Sequence, residues 1–246
     1  MESWPYPFWF AHRGAGREAP ENTLAAFRLG MAAGFRAFEC DVQLSRDGQP
    51  FLLHDDDLAR TSNGRGLACA QDWALLSQLD AGAWHSSGHA GEPLASLAAL
   101  EHLAQAQGLW LNLELKPAPG QARRVGAGVV QWLQRHWRAA PPLLSSFQSE
   151  ALRAAQGPYP LALLLTRWRA DAPTLAQQLG CRALVCQHAS LDGEGIAALH
   201  AAGLRALAYT VNDAAEARRL CAAGVDGLIT DRLDLPAALP AALPHP

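Results

Sequence analysis

Eight short apolar runs of four to six residues recur along the chain, most of them separated by longer Ala- and Leu-rich stretches of helical period. This alternation constrains the fold more than any other feature. A strand followed by a helix returns as a parallel neighbour, and eight such units in about 250 residues close into a barrel. The runs are 8–12 (FWFAH), 37–42 (AFECDV), 110–115 (WLNLEL), 143–146 (LLSS), 161–165 (LALLL), 183–187 (ALVCQ), 205–210 (RALAYT) and 226–230 (DGLIT). Helices are expected at 22–33, 121–138, 149–156, 173–179, 192–202 and 213–223. Asp192 and Asn212 or Asp213 can cap them, and Gly34, Gly157, Gly180, Gly203 and Gly224 stand where they should stop. An open doubly wound sheet is disfavoured, because neither GxGxxG nor GxxxxGK[ST] follows the first run. The pattern predicts an α/β fold, a TIM (β/α)8 barrel.

Two segments depart from the repeat. Residues 43–54 read as strand, tight turn (SRDGQP) and strand (FLLH). So short a link joins only antiparallel partners, which predicts that 50–54 folds back on 37–44. Residues 55–108 are too long for one strand-to-helix loop and carry Trp73, Trp84, His85 and His89. They are expected to form a small insertion after the second strand and its hairpin, on the functional face. Pro236, Pro240, Pro244 and Pro246 predict a truncated last helix and a loose tail. Residues 1–246 are therefore read as a single barrel domain.

A formal net charge of −3 offers no global basic field to nucleic acid or anionic membrane. Charges or prolines interrupt every apolar stretch short of the ~18 residues that a spanning helix requires, so no membrane span is expected. The opening MESWPYPFWFAHRG has no basic leader region. Five cysteines (Cys40, Cys69, Cys181, Cys186, Cys221) are odd in number and form no CxxC pair. They read as small apolar residues in a reducing compartment, which predicts a cytoplasmic protein, either monomer or homodimer.

The chemistry-bearing residues fall at the C-terminal ends of the expected strands, the face on which barrel active sites are built. Glu39 and Asp41 are two apart on one strand, so their side chains share a face with Cα atoms ~6–7 Å apart. Facing the lumen, such a pair needs compensating charge, which a divalent cation supplies. Glu114 on the next strand would add a third oxygen ligand. Three carboxylates without a cysteine point to one Mg²⁺ or Ca²⁺, with Mn²⁺ also admitted, rather than zinc. His12 and His54 each sit where a strand opens into a loop and could meet across the barrel mouth as a general acid and base. Arg13 and Lys116 adjoin these groups and set positive charge against a bound anion. His85, His89, His102, His136, His188, His200 and His245 have no such setting and are expected to be structural or on the surface.

HRGAGREAPENT at 12–23 resembles the signature of the glycerophosphodiester phosphodiesterase family. The likeness continues through Glu39-x-Asp41, His54-Asp55, Arg60–Gly66, Glu114-Leu-Lys116-Pro117, Ser146-Phe147, Tyr209–Asn212 and Asp226–Arg232. It covers roughly residues 10–234, in order. The resemblance implies a TIM barrel that hydrolyses glycerophosphodiesters, such as glycerophosphocholine or glycerophosphoethanolamine, to sn-glycerol 3-phosphate and a free alcohol. Carried over by motif, His12 and His54 are the catalytic pair, with His12 favoured as base. Glu39, Asp41 and Glu114 are the metal ligands, and Arg13 and Lys116 the phosphate contacts. The length resembles that of the short cytosolic bacterial branch. Tyr209 replaces the Trp of many relatives, and with Phe147 it would form an apolar wall against the glycerol carbons. The PENT segment is expected to serve structure, with Pro20 setting the approach, Asn22 or Thr23 capping the helix and Glu21 at its positive end.

Two other readings stay open on the sequence alone. A related barrel phospholipase, of lysophospholipase D or phosphoinositide type, would use similar residues and an apolar rim to which Trp73 and Trp84 could contribute. A non-catalytic barrel binding module would have lost a histidine or carboxylate, and none is missing.

Overall fold

Successive side chains on a barrel strand alternate between lumen and helix layer, and the second run shows how this sequence sorts them. Ala37 packs in the lumen with Phe10, Leu143, Ala162, Leu164, Ala183, Val185, Leu207 and Ile229. Phe38, Cys40 and Val42, one residue out of phase, pack in the layer beneath the helices. The computed structural model describes residues 4–239. Its strands are β1 (Trp9–His12), β2 (Ala37–Leu44), β3 (Pro50–Leu52), β4 (Trp110–Leu115), β5 (Leu143–Ser146), β6 (Leu161–Leu165), β7 (Ala183–Gln187), β8 (Arg205–Tyr209) and β9 (Gly227–Thr230).

All of these except β3 are parallel neighbours, and the ring closes because β1 pairs with both β2 and β9. The fold is the expected eight-stranded TIM barrel. Small Ala and bulky Leu, Val, Ile and Phe fill its interior together, as a packed core and not a pore. Tyr6 lies against Phe10 and Trp110, and its hydroxyl donates to the Pro141 carbonyl at 3.0 Å, which closes the end where the strands begin.

The expected hairpin forms as an antiparallel pair, with Val42 opposite Leu52 and Leu44 opposite Pro50. β2 pairs with β1 only through Glu39 but with β4 as far as Val42. Beyond His12, therefore, β3 takes the edge of β2 that β1 has left. This lifts the chain after β3 to the barrel mouth.

Helices α1 (Leu24–Ala32), α4 (Ala122–His136), α5 (Ser149–Ala154), α6 (Ala172–Gln178), α7 (Gly193–Ala201) and α8 (Ala214–Ala222) fall in the expected segments. Asp192 and Asp213 cap α7 and α8 by accepting the Gly195 and Glu216 amides. Asn212 does not cap; it turns to Asp231. Gly34, Gly180, Gly203 and Gly224 adopt positive φ behind their helices, whereas Gly157 does not.

Within 55–108 there are two 3₁₀ turns (Ala68–Ala70 and Ser87–His89), one α-helical turn, α2 (Trp73–Leu76), and a full helix, α3 (Leu97–Gln107), which is the barrel's own crossover from β2 to β4. Ser96 caps α3 by accepting the Ala99 amide, Leu97, Leu100 and Ala104 bury one face, and Gly108 ends it in a left-handed turn. The irregular part therefore stops near residue 96. It has a small core of its own, in which Leu58, Ala68, Leu76, Ala81 and Leu94 join Phe51 and Leu53. Among the described residues after β9, the helical element is a 3₁₀ turn, Pro236–Ala238. The tail bearing Pro240, Pro244, His245 and Pro246 lies outside the described residues. Among those described, no helix is long and apolar enough to cross a membrane.

Surface charge ties α8 to the turn that follows β7. Glu216 accepts from Arg219 Nη2 at 2.7 Å and lies 2.8 Å from His188 Nδ1. The Arg219 hydrogen bond outweighs burial and, with help from His188, lowers the Glu216 carboxyl to about 2. A depressed carboxyl stabilises the fold above its ordinary pKa, and the contribution is lost as pH falls through the depressed value. Glu216→Gln should therefore lower stability at pH 7 by less than ~1 kcal/mol, as suits a partly exposed pair. Urea unfolding of the two proteins should show the difference shrinking as pH falls from 4.5 toward 2.

Candidate active site

The loop after β1 leaves the strand through a left-handed turn, with Arg13 at φ 52°. Gly16 is also left-handed, and a Cβ there would stand 2.2 Å from the Asp231 carbonyl oxygen. The loop can therefore lie directly on the backbone that follows β9. Asp231 Oδ1 meets His12 Nδ1 at 2.6 Å. Asn212 holds Asp231 from behind, donating to Oδ2 at 2.7 Å and accepting the Asp231 amide at 2.8 Å. Burial pushes the Asp231 carboxyl up, but the His12 and Asn212 hydrogen bonds outweigh it and the net shift is downward. An ionised carboxylate only accepts, so His12 donates from Nδ1 and turns its Nε2 to the lumen. That Nε2 is 3.7 Å from Glu39 Oε2.

Glu39, Asp41 and Glu114 converge as expected. All three are buried, and one oxygen from each lies within 4.8 Å of the others. Burial, then repulsion from Asp41 and Glu114, pushes the Glu39 carboxyl well above its usual range. Burial and the Asp41 charge raise Glu114 to about 7. Asp41 goes the other way: burial would raise it, but Arg13, Lys116 and the Asn22 amide outweigh that and hold it ionised. Arg13 Nε lies 3.2 Å from Asp41 Oδ2, and Lys116 Nζ lies 3.1 Å from Glu114 Oε1. Two cations thus face three acids. The hard, all-oxygen donor set could hold a divalent cation.

His54 stands at the top of the hairpin. Asp55 Oδ1 meets its Nδ1 at 2.6 Å, and Lys116 Nζ meets its Nε2 at 2.9 Å. Desolvation, with a smaller push from Arg13 and Lys116, outweighs the pull of Asp41 and Asp55 and lowers the His54 pKa. The imidazole is therefore neutral, donating from Nδ1 and accepting from the lysine. Arg60, from the insertion, contacts Asp55 Oδ2 at 2.5 Å and clamps both Glu21 oxygens at 2.8 Å. Glu21 in turn binds Arg13 Nη1 at 2.8 Å. One charged chain thus runs from the Arg13 loop to the brace of His54.

The PENT segment has more than a structural part. Thr23 caps α1 as expected, accepting the Ala26 amide. Asn22, held at φ 59°, instead donates to Asp41 Oδ2 at 2.8 Å and accepts the Asp41 amide at 3.1 Å. Phe147 and Tyr209 meet edge to face, 5.9 Å between centroids. With His12, Arg13, Glu39, His54, Glu114 and Lys116 they line a pocket of about 150 Å³. Of the two insertion tryptophans, Trp84 is exposed, while Trp73 packs on Phe51. Asp231, Asn212 and Arg60 are not among the expected site residues: Asp231 lies 219 residues from His12, and Arg60, only five from Asp55, joins it to Glu21 39 residues away. The family motifs that contain them were the only available signal.

A barrel with two carboxylate-braced imidazoles, buried acids and two cations at its C-terminal rim has the equipment of a phosphoric ester hydrolase. The model of the Glycerophosphoryl diester phosphodiesterase family matches residues 12–235. YhdW of Bacillus subtilis is 34% identical over 232 residues, covering 91% of this chain and 94% of its own. A Bacillus altitudinis protein named glycerophosphodiester phosphodiesterase is 30% identical over 231 residues, covering 90% and 93%. Among solved structures, an Oleispira antarctica phosphodiesterase in complex with the product sn-glycerol-3-phosphate superposes with a TM-score of 0.89. It is 34% identical and covers 95% of this chain and 96% of its own. The chain belongs to the glycerophosphoryl diester phosphodiesterase family and is an enzyme of that class, a phosphoric diester hydrolase.

The contact of Gly16 with Asp231 gives a local test. Gly16→Ala adds a left-handed penalty and a backbone clash, together costing about 2–5 kcal/mol. Thermal unfolding should show the loss. In the surviving folded protein, turnover should fall as His12 and Asp231 move apart.

Proposed function

We propose that the enzyme hydrolyses small, water-soluble glycerophosphodiesters, glycerophosphocholine and glycerophosphoethanolamine among them, to sn-glycerol 3-phosphate and a free alcohol. Glu39, Asp41 and Glu114 would hold one divalent cation, Mg²⁺ or Ca²⁺, and His12 and His54 would move the protons. The observation that carries this reading is the convergence of both imidazoles, each oriented by its own carboxylate, on one pocket with the three acids. When bound, the cation would polarise the phosphoryl oxygens and offset the charge that builds on them.

Arg13 and Lys116 bind the phosphate and oppose the same charge from their own sides. His12, oriented by Asp231, takes the proton of the attacking hydroxyl at Nε2. His54 takes a proton from solvent at Nε2 and gives it to the departing alkoxide as its bond to phosphorus breaks, with Asp55 stabilising the transient imidazolium and the proton taken by His12 passing to solvent afterwards. Phe147 and Tyr209 cover the glycerol carbons and exclude water.

Pocket size supports a soluble substrate. About 150 Å³ matches the size of a three-carbon polyol phosphate. An adjoining cavity of about 310 Å³ shares Glu114, Lys116 and Phe147 and opens past Asp56, which gives the leaving alcohol a way out. Five free cysteines support a reducing, cytoplasmic setting.

His12→Ala and His54→Ala should each lower kcat on glycerophosphocholine by ~10²–10⁴-fold with little change in thermal midpoint. Near-normal turnover in either would remove the two-histidine assignment. Chelation should abolish activity, and titrating Mg²⁺ or Ca²⁺ back should restore it. Glu114→Gln should need more cation for half-maximal rate. An enzyme indifferent to chelation would not be using the acidic cluster as a metal site.

A further inference from the structure

Beneath the charged rim the pocket has a polar floor that the reaction above does not use. Asn112 on β4 and Ser145 on β5 are both 0% exposed. Both line the same pocket as the histidines. Yet Asn112 Oδ1, Asn112 Nδ2 and Ser145 Oγ have no protein partner. Buried polar atoms are almost always matched, because an unmatched one costs the full desolvation penalty. Three together in the wall of an open pocket point to something that enters it.

The register puts Asn112 opposite Glu39 and Ser145 opposite Glu114, so the floor lies directly beside the acids. Leu164, Ile229, Phe147 and Tyr209 supply apolar lining to the same pocket. Arg13 and Lys116 already serve a phosphate, and neutral amide and hydroxyl groups are weak cation ligands beside three carboxylates. They match a hydroxyl, which can donate to Oδ1 while accepting from Nδ2 or Oγ. A lining with both polar and apolar parts fits a short polyol, which carries both O–H and C–H groups.

We propose that Asn112 and Ser145 are specificity-determining residues that hydrogen-bond a free hydroxyl of the glycerol moiety, so that the enzyme selects glycerol phosphodiesters over alkyl phosphodiesters of the same size. This assignment rests on the functional reading above and names the groups that would enforce it. A site built to bind a hydroxyl discriminates strongly against an analogue without one, since its own polar groups are then left unmatched.

The test compares the cation-loaded wild-type enzyme with Asn112→Leu and Ser145→Ala. Calorimetry measures binding of sn-glycerol 3-phosphate and of 1-propyl phosphate, and turnover is measured on glycerophosphocholine and propylphosphocholine. Wild type should bind sn-glycerol 3-phosphate at least about tenfold more tightly than propyl phosphate. Each variant should lose about three- to tenfold on the glycerol compound and less than about twofold on the propyl compound, with kcat/KM following the same split. Equal losses on both compounds would mean that the floor only positions the acids, and no loss on either would mean that it only holds water. Either result overturns the proposal.

Neither variant removes a protein–protein hydrogen bond, so the thermal midpoint of the free enzyme should not drop. If Asn112→Leu does not fold, Ser145→Ala, which deletes one oxygen, carries the same comparison. A wild-type enzyme that cleaves no glycerol diester would sink the functional reading itself. One that cleaves glycerophosphocholine while the variants keep its selectivity would sink the floor assignment alone.

Discussion

Three carboxylates share a few ångströms of buried lumen, and their mutual repulsion organises the rim. Each neighbouring feature acts against it. Arg13 reaches Asp41 from a backbone turn that few side chains tolerate, and Asn22 reaches the same carboxylate from another. Such strained residues persist only where surrounding contacts over-determine them. Here Gly16 against Asp231 and the Arg60–Glu21 clamp supply those contacts. Burial and the same repulsion raise the Glu39 and Glu114 carboxyls, which lessens the charge that the rim must balance.

The fold was legible wherever two signals coincided. Most barrel strands combine a β-rich run with a following helical period, and all eight fall where the sequence places them. α3 went unread although Ser96 and Gly108 frame it, because the residues before it were irregular and the whole stretch took their character. The acids were legible for a local reason: Glu39 and Asp41 share a strand face whatever the tertiary structure. What braces the histidines was not. Asp231 meets His12 only once the barrel closes, and nothing local tells Asn22 from Thr23 as the cap. The structure divides that pair, giving the cap to the threonine and the carboxylate to the asparagine.

The two imidazoles are held in different ways. Asp55 is the immediate neighbour of His54 and is steadied by Arg60 from the insertion. Asp231 comes from the far end of the chain and reaches His12 across the seam where β1 meets β9. The geometry of His12 therefore reports on closure of the whole ring, whereas that of His54 reports on the hairpin and the segment above it. Desolvation of the rim depends on both, since the pocket lies between them.

That division bears on how such a scaffold can be rebuilt. Because β3 replaces β1 at the edge of β2, the strand ladder delivers His54 independently of the seam. A transplanted loop in place of residues 55–96 would keep the imidazole's position but lose the guanidinium that links its carboxylate to Glu21. Grafts at this site would have to bring their own arginine, or a substitute cation anchored to the helix-start segment, to remain interchangeable parts.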